Sequence, residues 1–268
     1  PRLPRMMALL ESAASVGGIV GPVLTAAVLP MGIWAPSAVT GLFGLALTLF
    51  LARSLPGGRP AAATGGDRSL SRQLATAWPF IRSPLVLGGF LMGFLSLYAL
   101  EGVQTFLGLL VRDRYGLGSG AQGVLLSVVP WAMLLGAQLV PGLLKRHSWF
   151  RLSVLALLSG VAAFAVLTVP MRWPALAAWL ALVGVGMGAI LPLSNSHLAG
   201  QGTPAVRGMI MAIYGSARLF GALVAPLLLG ALLPSGYSQT YLVSGAIGAA
   251  VSLVAMALVR AVRRAALA

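Results

Sequence analysis

The sequence predicts an all-α membrane protein, and three observations carry that prediction. First, 59% of the 268 residues are apolar and only 8% are charged, against roughly 25% charged in a soluble domain; mean hydropathy is +0.95. Second, eight apolar runs reach the ~20 residues a helix needs to cross a ~30 Å hydrocarbon core. Third, the basic residues gather in alternate connections between those runs, as they do in membrane proteins whose cytoplasmic loops are positive. The absence of cysteine excludes disulfides and thiolate metal sites.

In chain order the runs are Ala8–Pro30, Ala35–Ala52, Leu85–Val111, Gln122–Leu144, Leu152–Val169, Pro174–Leu193, Met209–Leu233 and Tyr241–Val259. No charged, apolar and small-residue succession marks the first as a secretory leader, so it is read as a span. With that span starting on the cytoplasmic side, fourteen basic residues fall inside: Arg2, Arg5, Arg53, Arg59, Arg68, Arg72, Arg82, Lys145, Arg146, Arg151, Arg207, Arg260, Arg263 and Arg264. Arg112, Arg114 and Arg172 fall outside, and Arg218 lies within a span. Both termini are therefore expected in the cytoplasm. Positive charge spread over every inner loop also speaks against nucleic acid as the partner of the net +14 charge.

Residues 54–84 form the one long connection. It opens rich in Gly, Pro, Ala and Arg, and then Leu70, Leu74, Trp78 and Ile81 recur near helical spacing beside Arg68, Arg72 and Arg82. That pattern predicts a short amphipathic helix on the inner leaflet. The connection divides residues 1–53, two spans, from residues 85–268, six spans.

The ends of the chain repeat each other. A constant shift of 204 positions, which carries Pro22 onto Pro226, also pairs Ser12/Ser216, Gly17/Gly221, Pro30/Pro234, Gly32/Gly236, Gly41/Gly245 and Gly44/Gly248. Glycines and prolines mark close approaches and bends, so their coincidence outweighs that of Ala and Leu. The chain opens and closes with copies of one two-helix unit. If the last two of six spans repeat the first two, the first half should also hold six, with four more preceding this chain.

Two six-span halves related by an axis along the membrane normal describe the major facilitator fold. Gly17-x-x-x-Gly21-Pro22 resembles the glycine–proline motif in the fifth span of drug/proton antiporters of that superfamily. The stretches 7–24 (MALLESAASVGGIVGPVL), 184–195 (GVGMGAILPLSN) and 206–230 (VRGMIMAIYGSARLFGALVAPLLLG) resemble a bacterial multidrug-exporter subfamily. The inner loop 142–151 keeps the glycine and arginines of the superfamily's loop motif and lacks its aspartate. The resemblance covers the fifth to twelfth spans. It implies proton-driven efflux of apolar or amphiphilic small molecules through the bacterial inner membrane by alternating access. Gly17, Gly21, Pro22, Gly221 and Pro226 are then motif residues that shape the moving helices.

Charges inside spans cost ~2.5–3.5 kcal/mol on insertion scales, so they usually face a cavity or a partner. Arg218 matches the arginine of the resembled stretch, where it serves either as a cavity-facing cation or as a helix-end fastening. Glu101 is deep enough to load and release a proton, unless it lies at the outer interface beside Gln104. Glu11 matches a glutamate of the subfamily; it is a proton-coupling candidate or a carboxylate favoured by the helix dipole. Tyr214, Met211, Gln138, Asn195 and Gln104, with Met209 and Trp131, are candidate cavity-lining groups, or ordinary packing.

No enzyme is expected. His147 and His197 have no acidic or thiol neighbours at ligand spacing, and no phosphate-binding glycine loop is present, so no metal or cofactor is implied. The expected partners are a small-molecule substrate, protons, the lipid bilayer and the missing helices or a partner chain. The alternative is a non-transporting truncated or scaffold module without a complete cavity. A permease driven by a separate ATPase would need a docking loop, and the inner loops after Ser148 are too short for one.

Overall fold

A computed structural model describes residues 20–21, 24–25, 27–32, 34–54, 70–201 and 203–265. These residues are overwhelmingly helical and contain no strand, and six helices are long and apolar enough to cross a membrane. The chain is an all-α membrane protein. Among the described residues its continuous α-helices are α1 (Ala35–Ser54), α2 (Leu70–Ile81), α3 (Pro84–Tyr115), α4 (Ser119–Leu143), α5 (Trp149–Thr168), α6 (Trp173–Gly188), α7 (Ile190–Ala199), α8 (Pro204–Leu232) and α9 (Tyr237–Ala265).

The starts and stops follow from local chemistry. Pro84 and Pro204 open α3 and α8, where a missing N–H costs nothing. Ser148 caps α5 by accepting a hydrogen bond from the Arg151 N–H at 3.4 Å. Gly116 ends α3 in the left-handed region (φ 65°), its N–H donating to the Arg112 carbonyl.

The six predicted spans after residue 84 are all present, with one difference. The run Pro174–Leu193 extends to Ala199, and it is broken at Ala189 into α6 and α7. Pro192 lacks the N–H that would bond back into α6, which accounts for a break one turn earlier. Of the first two predicted spans, Ala8–Pro30 lies mostly outside the described residues. The second forms α1, whose described apolar part, Ala35–Phe50, is shorter than a full span.

Close packing is set by glycines. On α4, Gly136 rests on the Val185 backbone of α6; in return Gly184 meets Ala132 and Gly188 meets the Met133 backbone. Gly221 of α8 rests on the Phe94 carbonyl of α3. Such contacts bring helix axes together where no hydrophobic drive separates helix from lipid. α3 is central, packing on α8, α9, α7 and α5. Its Tyr98 is fully buried, lies 5.6 Å from the Phe164 ring and donates to the Ser244 carbonyl of α9 at 3.0 Å.

A helix stands where the amphipathic one is predicted, as α2, and it packs on the bundle by one edge. Ala77 and Ile81 pack with Val206, Ile210 and Phe90, while Leu74 and Trp78 of the predicted stripe are exposed, Trp78 at 52%. The Arg82 guanidinium lies 5.2 Å from the Trp78 ring. An aromatic and a cation turned outward at a helix end suit the lipid headgroup layer.

The internal repeat reappears as geometry. A 3-10 turn at Leu29–Met31 is matched by one at Leu233–Ser235, and each is followed by a glycine of positive φ, Gly32 at 127° and Gly236 at 96°. The same 204-residue shift relates all of them. The copies differ in surroundings. Gly245 and Gly248 lie against Phe164 and Tyr98, whereas a Cβ on Gly41 or Gly44 of α1 would meet open space.

Candidate functional site

The polar groups in the middle of the bundle gather where α3, α7 and α8 meet. Arg218 stands midway along α8 (Pro204–Leu232), deeper than the sequence reading, because the helix starts five residues earlier than the predicted run. Gly93 of α3 makes room for it. A Cβ there would collide with the Tyr214 ring and stand 3.1 Å from Arg218 Cγ. The guanidinium lies over Tyr214, 5.8 Å from the ring centroid, within the range where the ring quadrupole attracts a cation.

Tyr214 is 2% exposed, and its hydroxyl shares a 2.6 Å hydrogen bond with Ser194 of α7. Ser194 is fully buried and also donates to the Ile190 carbonyl at 2.9 Å. Asn195, next in the chain, is 3% exposed. The break at Ala189 positions this pair: α7 is a short helix of its own, and it sets Ser194 against α8. A cation, an aromatic hydroxyl and a serine in an apolar bundle make a site able to hold an anionic or hydrogen-bonding group. Polar groups in such surroundings interact strongly and are costly when left unmatched.

The other candidates divide. Met211 is partly buried where α8 packs on α2 and α3, one helical turn from Tyr214. Glu101 is half-buried on α3, eight residues beyond Gly93, about 12 Å at 1.5 Å per residue; no ion pair joins it to Arg218. Gln104 shares its face at a three-residue spacing, with a buried amide nitrogen that has no hydrogen-bond partner among the described residues. Gln138 and Trp131 are exposed on α4, a helix that packs chiefly on α6. Gly221 is a backbone contact, and Pro226 stands one turn beyond it inside α8. Gly21 is helical, with open space where a Cβ would stand; Glu11, Gly17 and Pro22 lie outside the described residues.

Two groups escaped the sequence reading. Ser194 is one serine among many, and only the break after Ala189 turns it toward Tyr214. Asp113 is the other. Its carboxylate takes a hydrogen bond from the Tyr237 hydroxyl at 2.6 Å and pairs with Arg112 at 3.0 Å, fastening α3 to α9 at the end opposite α2.

The two ends of the bundle are electrically distinct. Arg82, Lys145, Arg146, Arg151, Arg207 and Arg260 stand at the end where α2 packs, and no described carboxylate joins them. Arg112, Asp113, Arg114 and Arg172 stand at the other. His197 stacks on Trp149 at 4.3 Å near the basic end, and no group of three or more potential metal ligands occurs among the described residues. Searches against protein-family models and against curated proteins return no match.

Proposed function

We propose that the chain is the larger part of a secondary active transporter of major facilitator type, exporting apolar or amphiphilic small molecules in exchange for protons across a bacterial inner membrane. One observation carries the proposal: the cluster of a half-buried Arg218 with the buried Tyr214 and Ser194, midway along α8 in a bundle of apolar spanning helices. An arginine kept in such a position costs insertion free energy and is expected to face a substrate path or a proton relay. The repeated two-helix unit with its matching 3-10 turn and positive-φ glycine supports two related halves. The excess of Lys and Arg at one end supports a cytoplasmic placement of that end and of both termini.

Rocking of the halves would open the cluster to each side in turn. Tyr214 and Ser194 hold and orient a polar group, Arg218 supplies fixed positive charge, and Glu101 is the carboxylate available to carry a proton along α3.

The test is efflux of a lipophilic fluorescent dye from cells producing the native-length protein. Arg218→Gln should cut protonophore-sensitive efflux at least tenfold at equal membrane abundance, and Glu101→Gln should uncouple it from the pH gradient. Full efflux in both variants would overturn these roles. A second reading, a non-transporting membrane module, draws on α1, most of whose described side chains are exposed and which makes no extensive contact with the long helices among the described residues. On the transport reading, the open faces of Gly41 and Gly44 are covered by further helices, as those of Gly245 and Gly248 are.

A further inference from the structure

Between α5 and α9, on the outside of the bundle, runs a groove of about 630 Å³. Small residues on α9, Ala249 and Ala257, leave the gap, and the exposed Leu158 and Leu253 form its rims. It extends from Phe150 to Val161 on α5 and from Ala249 to Arg260 on α9. At 1.5 Å per residue each stretch is about 16 Å long, close to half of the ~30 Å hydrocarbon core. Its walls are apolar but for Ser252, whose hydroxyl donates to the Gly248 carbonyl of its own helix, and Arg260 closes one end. Arg151, next to Phe150, adds a second exposed cation at that end.

We propose that this groove is a binding site for one anionic diacyl phospholipid of the leaflet that meets the basic end. One acyl chain lies between α5 and α9, and the phosphate meets Arg260. The depth of one leaflet argues for an acyl chain. The charge argues for the headgroup: a guanidinium matches phosphate oxygens in a bidentate fork, and basic pockets between spanning helices recognise anionic headgroups. No described carboxylate lies at this end to compete for Arg260. A second copy of the chain fits less well, because a two-fold contact places the same patch of each copy together and would bring two basic ends side by side. The site depends on the membrane-spanning fold and not on transport.

Native mass spectrometry of the full chain in detergent tests it, with phosphatidylglycerol and phosphatidylcholine of identical acyl chains added in equal amounts. One equivalent of phosphatidylglycerol should be retained at least fivefold over phosphatidylcholine. Arg260→Gln, an exposed position that leaves packing intact, should bring the two to parity, and Arg260→Lys should keep part of the preference. Ala249→Trp should fill the groove and remove the retained lipid of either kind. Equal retention of the two lipids by the unaltered chain, an unchanged preference in Arg260→Gln, or a lipid-free dimer would overturn the proposal.

Discussion

Gly136 lies against the peptide of Val185, and no flexible side chain stands between the two helices to yield. Gly136→Leu must push α4 and α6 apart, and overpacking of this kind costs about 1–3 kcal/mol or more. Gly120, one of the first residues of α4, faces open space, so Gly120→Leu is the matched control. Thermal unfolding of the detergent-purified protein should show a lower midpoint for the first and an unchanged one for the second. Equal midpoints would mean that α4 and α6 are not in contact at Gly136. At this scale the sequence was informative about glycines, since Gly184 and Gly188 announce a close approach by their spacing. It was uninformative about Ser194, whose role depends on a helix break that sets it against Tyr214.

Elements carry the repeat. Gly236 combines φ 96° with ψ 154°, a region of backbone space that is essentially closed to side chains, at a cost of about 1–3 kcal/mol. Gly116 has φ 65° and ψ 21°, which asparagine also adopts at helix C-termini. Gly236→Ala should therefore destabilise the junction between α8 and α9, while Gly116→Asn should stay within about 1 kcal/mol of the parent. Hydrogen exchange at the ends of α8 and α9 would read the difference, and equal protection in the two variants would contradict it. Helix existence was legible from apolar runs alone, and so was α2. Its contacts with the bundle were not. Periodicity selected Leu70, Leu74, Trp78 and Ile81 as one stripe, and the packing of Ala77 and Ile81 on Val206, Ile210 and Phe90 depends on residues far away in the chain. The extension of the sixth span to Ala199 was equally hidden, because Ser194, Asn195, Ser196 and His197 read as a polar end, whereas Ser194 and Asn195 are buried and Ser196 and His197 partly so.

For the whole molecule the sidedness is the consequence with the widest reach. The chain contains no cysteine, so single-cysteine variants report without background. His147→Cys, between α4 and α5 at the basic end, should react with a membrane-impermeant maleimide only after permeabilisation. Gln239→Cys, at the opposite end, should react in intact cells. The reverse pattern would invert the proposed orientation. The bundle and its charge asymmetry were both readable from composition and loop positions, whereas the Asp113–Tyr237 fastening and the groove closed by Arg260 arise from neighbours far apart in sequence. The proposed coupled export can be measured in proteoliposomes of the native-length protein under an imposed pH gradient. Dye should move against its own gradient, accompanied by proton flux in the opposite direction and abolished by protonophore. Dye and proton fluxes no greater than in protein-free liposomes would contradict it.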